Sequence, residues 1–208
     1  MAGKRTTAES VGVGRDLARV PRIKGANRAA FAPMTVKGRL THAPSPRRRL
    51  AKRINKKERL LAFWSAIAAT ASKDLVASRG HEVKKVPSIP LVVSNEFQNL
   101  KTTAEAKKAF EELGLWDDVK RARGGAKIRA GKGRVRGRRV KHPRGPLLVV
   151  LKDEGLGKAA RNLAGVDIVE VSNLNVEDLA PGTHAGRLTV WTKSALEFVE
   201  NRFARQGN

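Results

Sequence analysis

The amino-acid sequence predicts an α/β fold with a mainly parallel sheet, helices on both faces of the sheet, and a long extended basic arm or loop at the N-terminus. Strand and helix patterns alternate from residue 55 to the end of the chain. The strand patterns are continuous apolar runs, which are typical of parallel strands covered on both faces. Residues 1–54 show neither helical nor strand periodicity, so we assign residues 55–208 to one globular domain and residues 1–54 to the arm.

The arm is broken by four prolines and five glycines, so it is not expected to fold alone. Its apolar residues are interleaved with basic ones, as in a segment that becomes ordered on a partner. The apolar members are Val20, Ile23, Phe31, Met34, Val36 and Leu40. A solvated basic tail is the alternative interpretation.

The first half of the globular domain contains two helix patterns around one strand pattern. "NKKERLLAFWSAIAATASKDLVASRG" starts with a capping residue, Asn55, has apolar residues at helical spacing and ends at Gly80. "IPLVVS", residues 89–94, is a short β-branched run and predicts a strand. "TTAEAKKAFEELG" predicts the second helix, capped by Thr102 or Thr103.

The second half continues the alternation. "PLLVVL" (146–151), "VDIVEVS" (166–172) and "RLTVW" (187–191) predict strands. "GKAARNLAG" and "TKSALEFVENRFARQG" predict helices, and "NVEDLAP" predicts a single helical turn. Core packing is the expected role of the three tryptophans, Trp64, Trp116 and Trp191.

Charge is concentrated in two parts of the chain. The formal net charge is +24, and the 43 basic residues exceed the 19 acidic ones only in residues 1–60 and 121–145. The second of these, "RARGGAKIRAGKGRVRGRRVKHPRG", has eight Arg, three Lys, six Gly and no Asp or Glu. We predict that this basic internal segment of the globular domain is a loop, because its glycines argue against a helix and let the backbone approach phosphates.

The sequence lacks the common catalytic patterns. No phosphate-binding loop, dinucleotide-binding motif or nucleophile elbow is complete, there is no cysteine, and the four histidines lack metal-ligand spacing. The carboxylates of Glu111, Glu112, Asp117 and Asp118 are expected on solvated helix faces. No apolar run is long enough to span a membrane. We therefore predict a protein that is not an enzyme, needs no cofactor or metal and binds no membrane.

Concentrated basic charge points to a polyanionic partner, because Lys and Arg that neutralise phosphates release counterions. The excess of Arg favours folded RNA, since the guanidinium bonds phosphate with two N–H groups and stacks on exposed bases. A disordered, solvated loop is the alternative for residues 121–145. The candidate binding cations are Arg15, Arg19, Arg22, Lys24, Arg28, Lys37, Arg39, Arg47, Arg48, Arg49, Lys52, Arg53, Lys127, Arg129, Lys132, Arg134, Arg136, Arg138, Arg139 and Lys141.

Seven stretches, in order along the whole chain, resemble a known family. They are "ESVGVGRDLARVPRIKG", "AAFAPMTVKGRLTHAP", "NKKERLLAFWSAIAATA", "IRAGKGRVRGRR", "KAARNLAGVDI", "NVEDLAPG" and "GRLTVWTKSALEFV". Together they resemble the universal fourth protein of the large ribosomal subunit, in its archaeal form. The resemblance implies a structural constituent of the cytoplasmic ribosome that binds large-subunit rRNA and contacts neighbouring ribosomal proteins.

The same resemblance implies that the loop spans about residues 9–53 and that its tip reaches the narrow part of the polypeptide exit tunnel, where nascent chains pass. The residues implied for the tip are Arg22, Ile23, Lys24, Gly25, Asn27, Arg28 and Phe31. Family members begin with a strand and a helix before this loop, whereas Met1 stands near its entrance, so completeness of the sheet is left open. The functional alternatives are a free nucleic-acid-binding regulator or chromatin-like protein, and an RNA-modifying enzyme, which lacks a catalytic constellation here.

Overall fold

The computed structural model describes residues 8–30, 32–33 and 40–204. The chain divides into two compact units, Met1–Arg53 and Ile54–Asn208.

The first unit contains a small antiparallel pair of strands, β1 (Ala8–Glu9) and β2 (Arg22–Ile23). The sequence analysis did not predict this pair, because two-residue strands leave no periodic pattern. On the other side of β2, the N–H of Ala30 donates to the carbonyl of Pro21 at 2.9 Å and closes the turn that follows the strand.

The second unit contains the remaining elements. The helices are α1 (Lys56–Thr70), α2 (Lys73–Ser78), α3 (Thr103–Glu112), α4 (Trp116–Gly124), α5 (Lys132–Val135), α6 (Leu156–Ala160), α7 (Val176–Leu179) and α8 (Lys193–Ala204). The strands are β3 (Leu91–Val93), β4 (Lys127–Ile128), β5 (Val140–Lys141), β6 (Leu147–Val150), β7 (Asp167–Glu170) and β8 (Thr189–Thr192).

Four of these strands form a parallel sheet in the order β3-β8-β6-β7. The last of the described strands, β8, therefore lies inside the sheet, with Val190 opposite Leu91 on one side and opposite Leu148 on the other. The predicted α/β class with a mainly parallel sheet is confirmed.

Alternate residues of the central strands enter two separate apolar clusters. Leu148 and Val190 belong to the cluster that contains Phe110 and Leu156, from α3 and α6. The neighbouring residues on the strands, Leu147, Val149 and Trp191, pack with residues of α7 and α8, including Leu179 and Val199. Helices thus cover both faces, as predicted, because every second side chain of a strand points the same way.

Two details of the predicted elements are corrected. The single helix expected from Asn55 to Gly80 is two helices, because the backbone at Ser72 is extended and starts α2. The strand expected over 166–172 ends at Glu170, where the chain turns into a short 3-10 helix, Val171–Asn173. Among the tryptophans, Trp191 is fully in the core, whereas Trp64 and Trp116 are half-buried.

A fragment comprising residues 55–208 is expected to fold cooperatively without residues 1–54. Both apolar clusters consist of residues of the second unit, so deleting the first unit removes no member of either cluster. Circular dichroism and urea unfolding of the fragment should show a helical spectrum and one sharp transition. A broad, non-cooperative transition would show that the first unit is needed for the fold.

Candidate nucleic-acid interface

The basic segment 121–145 is folded, and its central part is a hairpin. Strands β4 and β5 pair antiparallel, with Lys127 opposite Lys141 and Ile128 opposite Val140. The hairpin is extended by a hydrogen bond from the N–H of Arg129 to the carbonyl of Arg139, at 2.8 Å. We use the term basic hairpin for residues 127–141.

The prediction that glycine keeps this whole segment free of helix is wrong in two places. Helix α4 continues to Gly124, and α5 forms one helical turn at the end of the hairpin. The glycines act at the boundaries: Gly131 and Gly137 have φ of +76° and +83°, and lie on either side of α5. Such left-handed backbone is accessible to glycine and lets the chain enter and leave the turn.

The structure brings eight of the predicted binding cations together on the basic hairpin, and all eight are exposed. They are Lys127, Arg129, Lys132, Arg134, Arg136, Arg138, Arg139 and Lys141. None of them forms an ion pair with a carboxylate of the described residues. Lys127 and Lys141 are directly opposite each other, a pairing of like charges that is unfavourable until an anion compensates it.

Apolar side chains are exposed among these cations. Val135 in α5 is 88% exposed, and the facing pair Ile128 and Val140 are 60% and 42% exposed. Side chains of this kind can pack on sugar or base surfaces that phosphate-binding cations do not cover.

In the first unit, most of the predicted cations are also exposed. These are Arg15, Arg19, Lys24, Arg28, Arg47, Arg48, Arg49, Lys52 and Arg53. Lys24 lies 3.4 Å from a carboxylate oxygen of Glu9 in an exposed ion pair. Lys37, Arg39 and Phe31 lie outside the described residues.

Six of the residues implied for the tunnel tip lie in or beside one tight turn. The N–H of Ile23 donates to the carbonyl of Arg28 at 3.1 Å, and Gly25 has φ of +80°. Arg22 differs from the other cations, because its side chain is half-buried and donates to the carbonyl of Asn27 at 2.7 Å. At least part of the Arg22 guanidinium therefore stabilises the turn.

A network of buried charges beside the basic hairpin was missed by the sequence analysis. Asp118, expected to be solvated, is completely buried. Its Oδ2 lies 3.0 Å from His81 Nδ1, and its Oδ1 accepts from Arg121 Nε at 2.8 Å and from the N–H of Glu82 at 2.9 Å. The prediction was wrong because Asp118 faces the stretch that follows α2, which no local pattern connects to α4.

Burial by itself would raise the pKa of the Asp118 carboxyl group. The hydrogen bonds from His81 and Arg121 outweigh the burial, so the pKa lies below its usual value and the buried group is a carboxylate. A carboxylate only accepts hydrogen bonds, so the His81 Nδ1 carries the hydrogen that is shared with it.

A second buried group centres on Arg187, which is 1% exposed. Its Nη2 pairs with Asp167 Oδ2, its Nε donates to the carbonyl of Gly145 at 3.0 Å, and its Nη1 donates to the carbonyl of Asp178 at 2.9 Å. Burial lowers the pKa of Arg187 more than Asp167 raises it. The only hint in the sequence is position: Asp167 is the second residue of the predicted strand 166–172, and Arg187 is the first residue of the predicted strand 187–191.

Neither a metal-binding group nor a membrane span is found in the part of the chain that the structure describes. No three His, Asp or Glu side chains there are arranged to hold a metal ion. No helix of that part combines the length and the apolar character that crossing a membrane requires.

The whole chain resembles proteins of one family. The model of the Ribosomal protein L4/L1 family matches residues 2–202, so the chain belongs to this family. This confirms the predicted family and the predicted location in the cytoplasmic ribosome.

Three relatives are each named "Large ribosomal subunit protein uL4". The protein of Methanosphaera stadtmanae is 54% identical over 205 residues, which are 99% of this chain and 79% of the relative. That of Methanothrix thermoacetophila is 50% identical, over 97% of this chain and 79% of the relative. The protein of Saccharolobus islandicus is 47% identical, over 99% of this chain and 78% of the relative.

Proposed function

We propose that the chain is a structural constituent of the large ribosomal subunit and that it binds rRNA through the basic hairpin and through residues 1–54. The names of the relatives support the assignment to the large subunit. The observation that carries the proposed rRNA contact is the basic hairpin, on which eight exposed cations have no carboxylate partner among the described residues. Phosphate groups of RNA would supply the negative charges that these cations lack within the protein, and their binding would release counterions.

RNA with folded, irregular surfaces fits the basic hairpin better than a uniform duplex does. Five of the eight cations are arginines, whose planar fork can bond phosphate or stack on an unpaired base. The exposed side chains of Ile128, Val135 and Val140 add apolar surface in their midst. A partner that offers both phosphates and exposed sugar or base faces complements this composition.

Residues 1–54 are proposed to supply the second rRNA contact, with the turn at residues 22–28 directed to the polypeptide exit tunnel. The exposed cations before and after this turn support the contact with rRNA, and Arg22 supports the turn itself through its bond to Asn27. Neighbouring ribosomal proteins and the passing nascent chain would be the further partners. In this function the chain acts by binding, without a catalytic step.

The affinity of the full chain for large-subunit rRNA is expected to fall steeply as salt is raised. If about eight of the exposed cations contact phosphate, the slope of log affinity against log salt concentration should be roughly −5 to −6, at about −0.7 per contact. Filter binding of transcribed rRNA over a series of KCl concentrations measures this slope. A slope shallower than about −2 would contradict the proposed phosphate contacts.

The control separates a ribosomal constituent from a free regulator that happens to bind RNA. The tagged chain should sediment with intact large subunits at both low and high magnesium concentration. Recovery of the chain mainly with DNA or with messenger RNA, away from large subunits, would favour the regulator.

A further inference from the structure

The two ends of the segment that carries the basic hairpin are joined directly to each other. Arg121 is in α4, ahead of the hairpin, and Arg144 follows β5. The Nη2 of Arg121 donates to the carbonyl of Arg144 at 2.8 Å. The points at which the chain leaves the domain and returns to it are therefore linked by a direct hydrogen bond.

The leading end is fixed to the domain through Asp118. This buried carboxylate accepts from Arg121 Nε at 2.8 Å, one helical turn away, and so sets the direction of the Arg121 side chain. Asp118 is in turn held by His81 and by the backbone of Glu82, which belong to the stretch after α2. Arg121 thus uses its Nε and Nη2 donors within the protein.

The returning end is fixed through Asp167, at the start of β7. The Nη1 of Arg144 lies 2.7 Å and 3.1 Å from the two carboxylate oxygens of Asp167. The buried Arg187 binds the same carboxylate and also the carbonyl of Gly145. Residues 144 and 145 are therefore tied to β7 and to the stretch that leads into β8.

Close backbone packing supports these charged contacts. A Cβ atom at Gly125 would lie 2.6 Å from Pro143 Cγ. Gly165, with φ of +78°, has no room for a side chain, because a Cβ there would lie 2.8 Å from the Cβ of Ala122 and 2.9 Å from the carbonyl oxygen of Pro143. The turn before β7 consequently packs against the backbone of the returning end and against Ala122 of the leading end.

We propose that Asp118, Arg121, Arg144, Asp167 and Arg187 form a clamp that holds the basic hairpin in one orientation on the domain before RNA is bound. In this role Arg121 and Arg144 are positioning residues: they increase rRNA affinity by fixing the hairpin, although neither contacts phosphate. A preordered hairpin avoids the conformational entropy that a free loop loses on binding. The proposal rests on the proposed rRNA binding, but the state of the free hairpin can be tested without RNA.

The test compares Arg144→Gln with Arg139→Gln. Both variants make the same chemical change and remove one exposed positive charge, but only Arg144 belongs to the clamp. Arg144 has a side chain that is 56% exposed, so its replacement is expected to leave the domain folded. The first measurement is amide hydrogen exchange of residues 127–141 in the free full-length protein, and the second is rRNA affinity as a function of KCl concentration.

In Arg144→Gln, the amides of the hairpin should exchange at least about tenfold faster, because the hairpin is no longer held in one orientation. The rRNA affinity should fall about tenfold for the same reason. The salt slope should stay unchanged, because no phosphate contact is lost. In Arg139→Gln, exchange should be unchanged and the salt slope should become shallower by about 0.7, as for the loss of one phosphate contact. If Arg144→Gln fails to fold, Arg121→Gln is measured in the same way.

The clamp is overturned if Arg144→Gln leaves hairpin exchange unchanged, whatever happens to the affinity. It is also overturned if the salt slope of Arg144→Gln becomes shallower by about 0.7, because Arg144 would then be a phosphate contact. If the unaltered chain does not bind rRNA at all, the proposed function fails, while the exchange measurement still decides whether the clamp orders the hairpin.

Discussion

Replacing Arg134, Arg136, Arg138 and Arg139 with alanine is expected to lower the affinity for large-subunit rRNA by several hundredfold at about 0.1 M salt. At this concentration each lost phosphate contact costs roughly 0.7 in log affinity relative to 1 M salt, so four contacts cost roughly 2.8. The slope of log affinity against log salt should become shallower by about the same number. Filter binding of transcribed rRNA measures both quantities.

The stability of the domain should be almost unaffected, because all four arginines are exposed and outside the apolar clusters. Exposed substitutions of this kind usually change the free energy of unfolding by no more than about 0.5 kcal/mol each. A matched control removes the same charge from other exposed positions, Lys73, Lys101, Lys108 and Lys158. Equal loss of affinity in the control would show that total charge, and not the basic hairpin, determines binding.

Replacing the same four arginines with lysine separates charge from shape. Lysine keeps the charge but lacks the planar fork that bonds two phosphate oxygens or stacks on a base. We expect the lysine variant to recover only part of the affinity lost in the alanine variant. Full recovery would mean that charge alone suffices, and no loss in the alanine variant would mean that the segment is a solvated loop.

Asp118→Ala is expected to destabilise the domain by about 3–5 kcal/mol, the usual cost of removing one partner of a buried, hydrogen-bonded charge pair. Without Asp118, the ring of His81 loses its carboxylate partner and the N–H of Glu82 loses its acceptor. Urea unfolding measures the change. The control is Asp117→Ala next to it, whose more exposed carboxylate pairs with Lys85 and Lys120 at the surface; its effect should be much smaller.

The same site predicts how stability depends on pH. Because the folded-state pKa of Asp118 lies below its unfolded value of about 3.9, its contribution is complete above that pH and is lost as pH falls through the folded-state pKa. Asp118→Asn should therefore lose less stability than the unaltered protein below about pH 4. Parallel curves for the two proteins would show that Asp118 does not carry this effect.

The parallel sheet could be predicted because its strands are buried on both faces, so "PLLVVL" and "RLTVW" read as unbroken apolar runs. The exposed cations could also be predicted, because composition alone shows in which two segments the basic residues are concentrated. The clamp could not be predicted, because it joins Arg121 to Arg144 and Asp167 to Arg187, pairs that are 23 and 20 positions apart in the sequence. The sequence of the basic hairpin does not alternate apolar and polar residues, so it does not predict strands. The pairing of β4 with β5 depends on the two ends of the segment, which only the folded domain brings together.

The place of β8 in the sheet has a consequence for how the chain acquires its structure during synthesis. Among the strands that the structure describes, β8 is the last to be made, yet it separates β3 from β6. Until it emerges from the ribosome, β3 lacks the only neighbour that it has among the described strands, and of the four strands of this sheet only β6 and β7 can pair. Folding thus depends on contacts between distant parts of the sequence, which slows it. The strongly basic hairpin is synthesised well before the sheet can close, so the nascent chain exposes a polycation while its core is still incomplete.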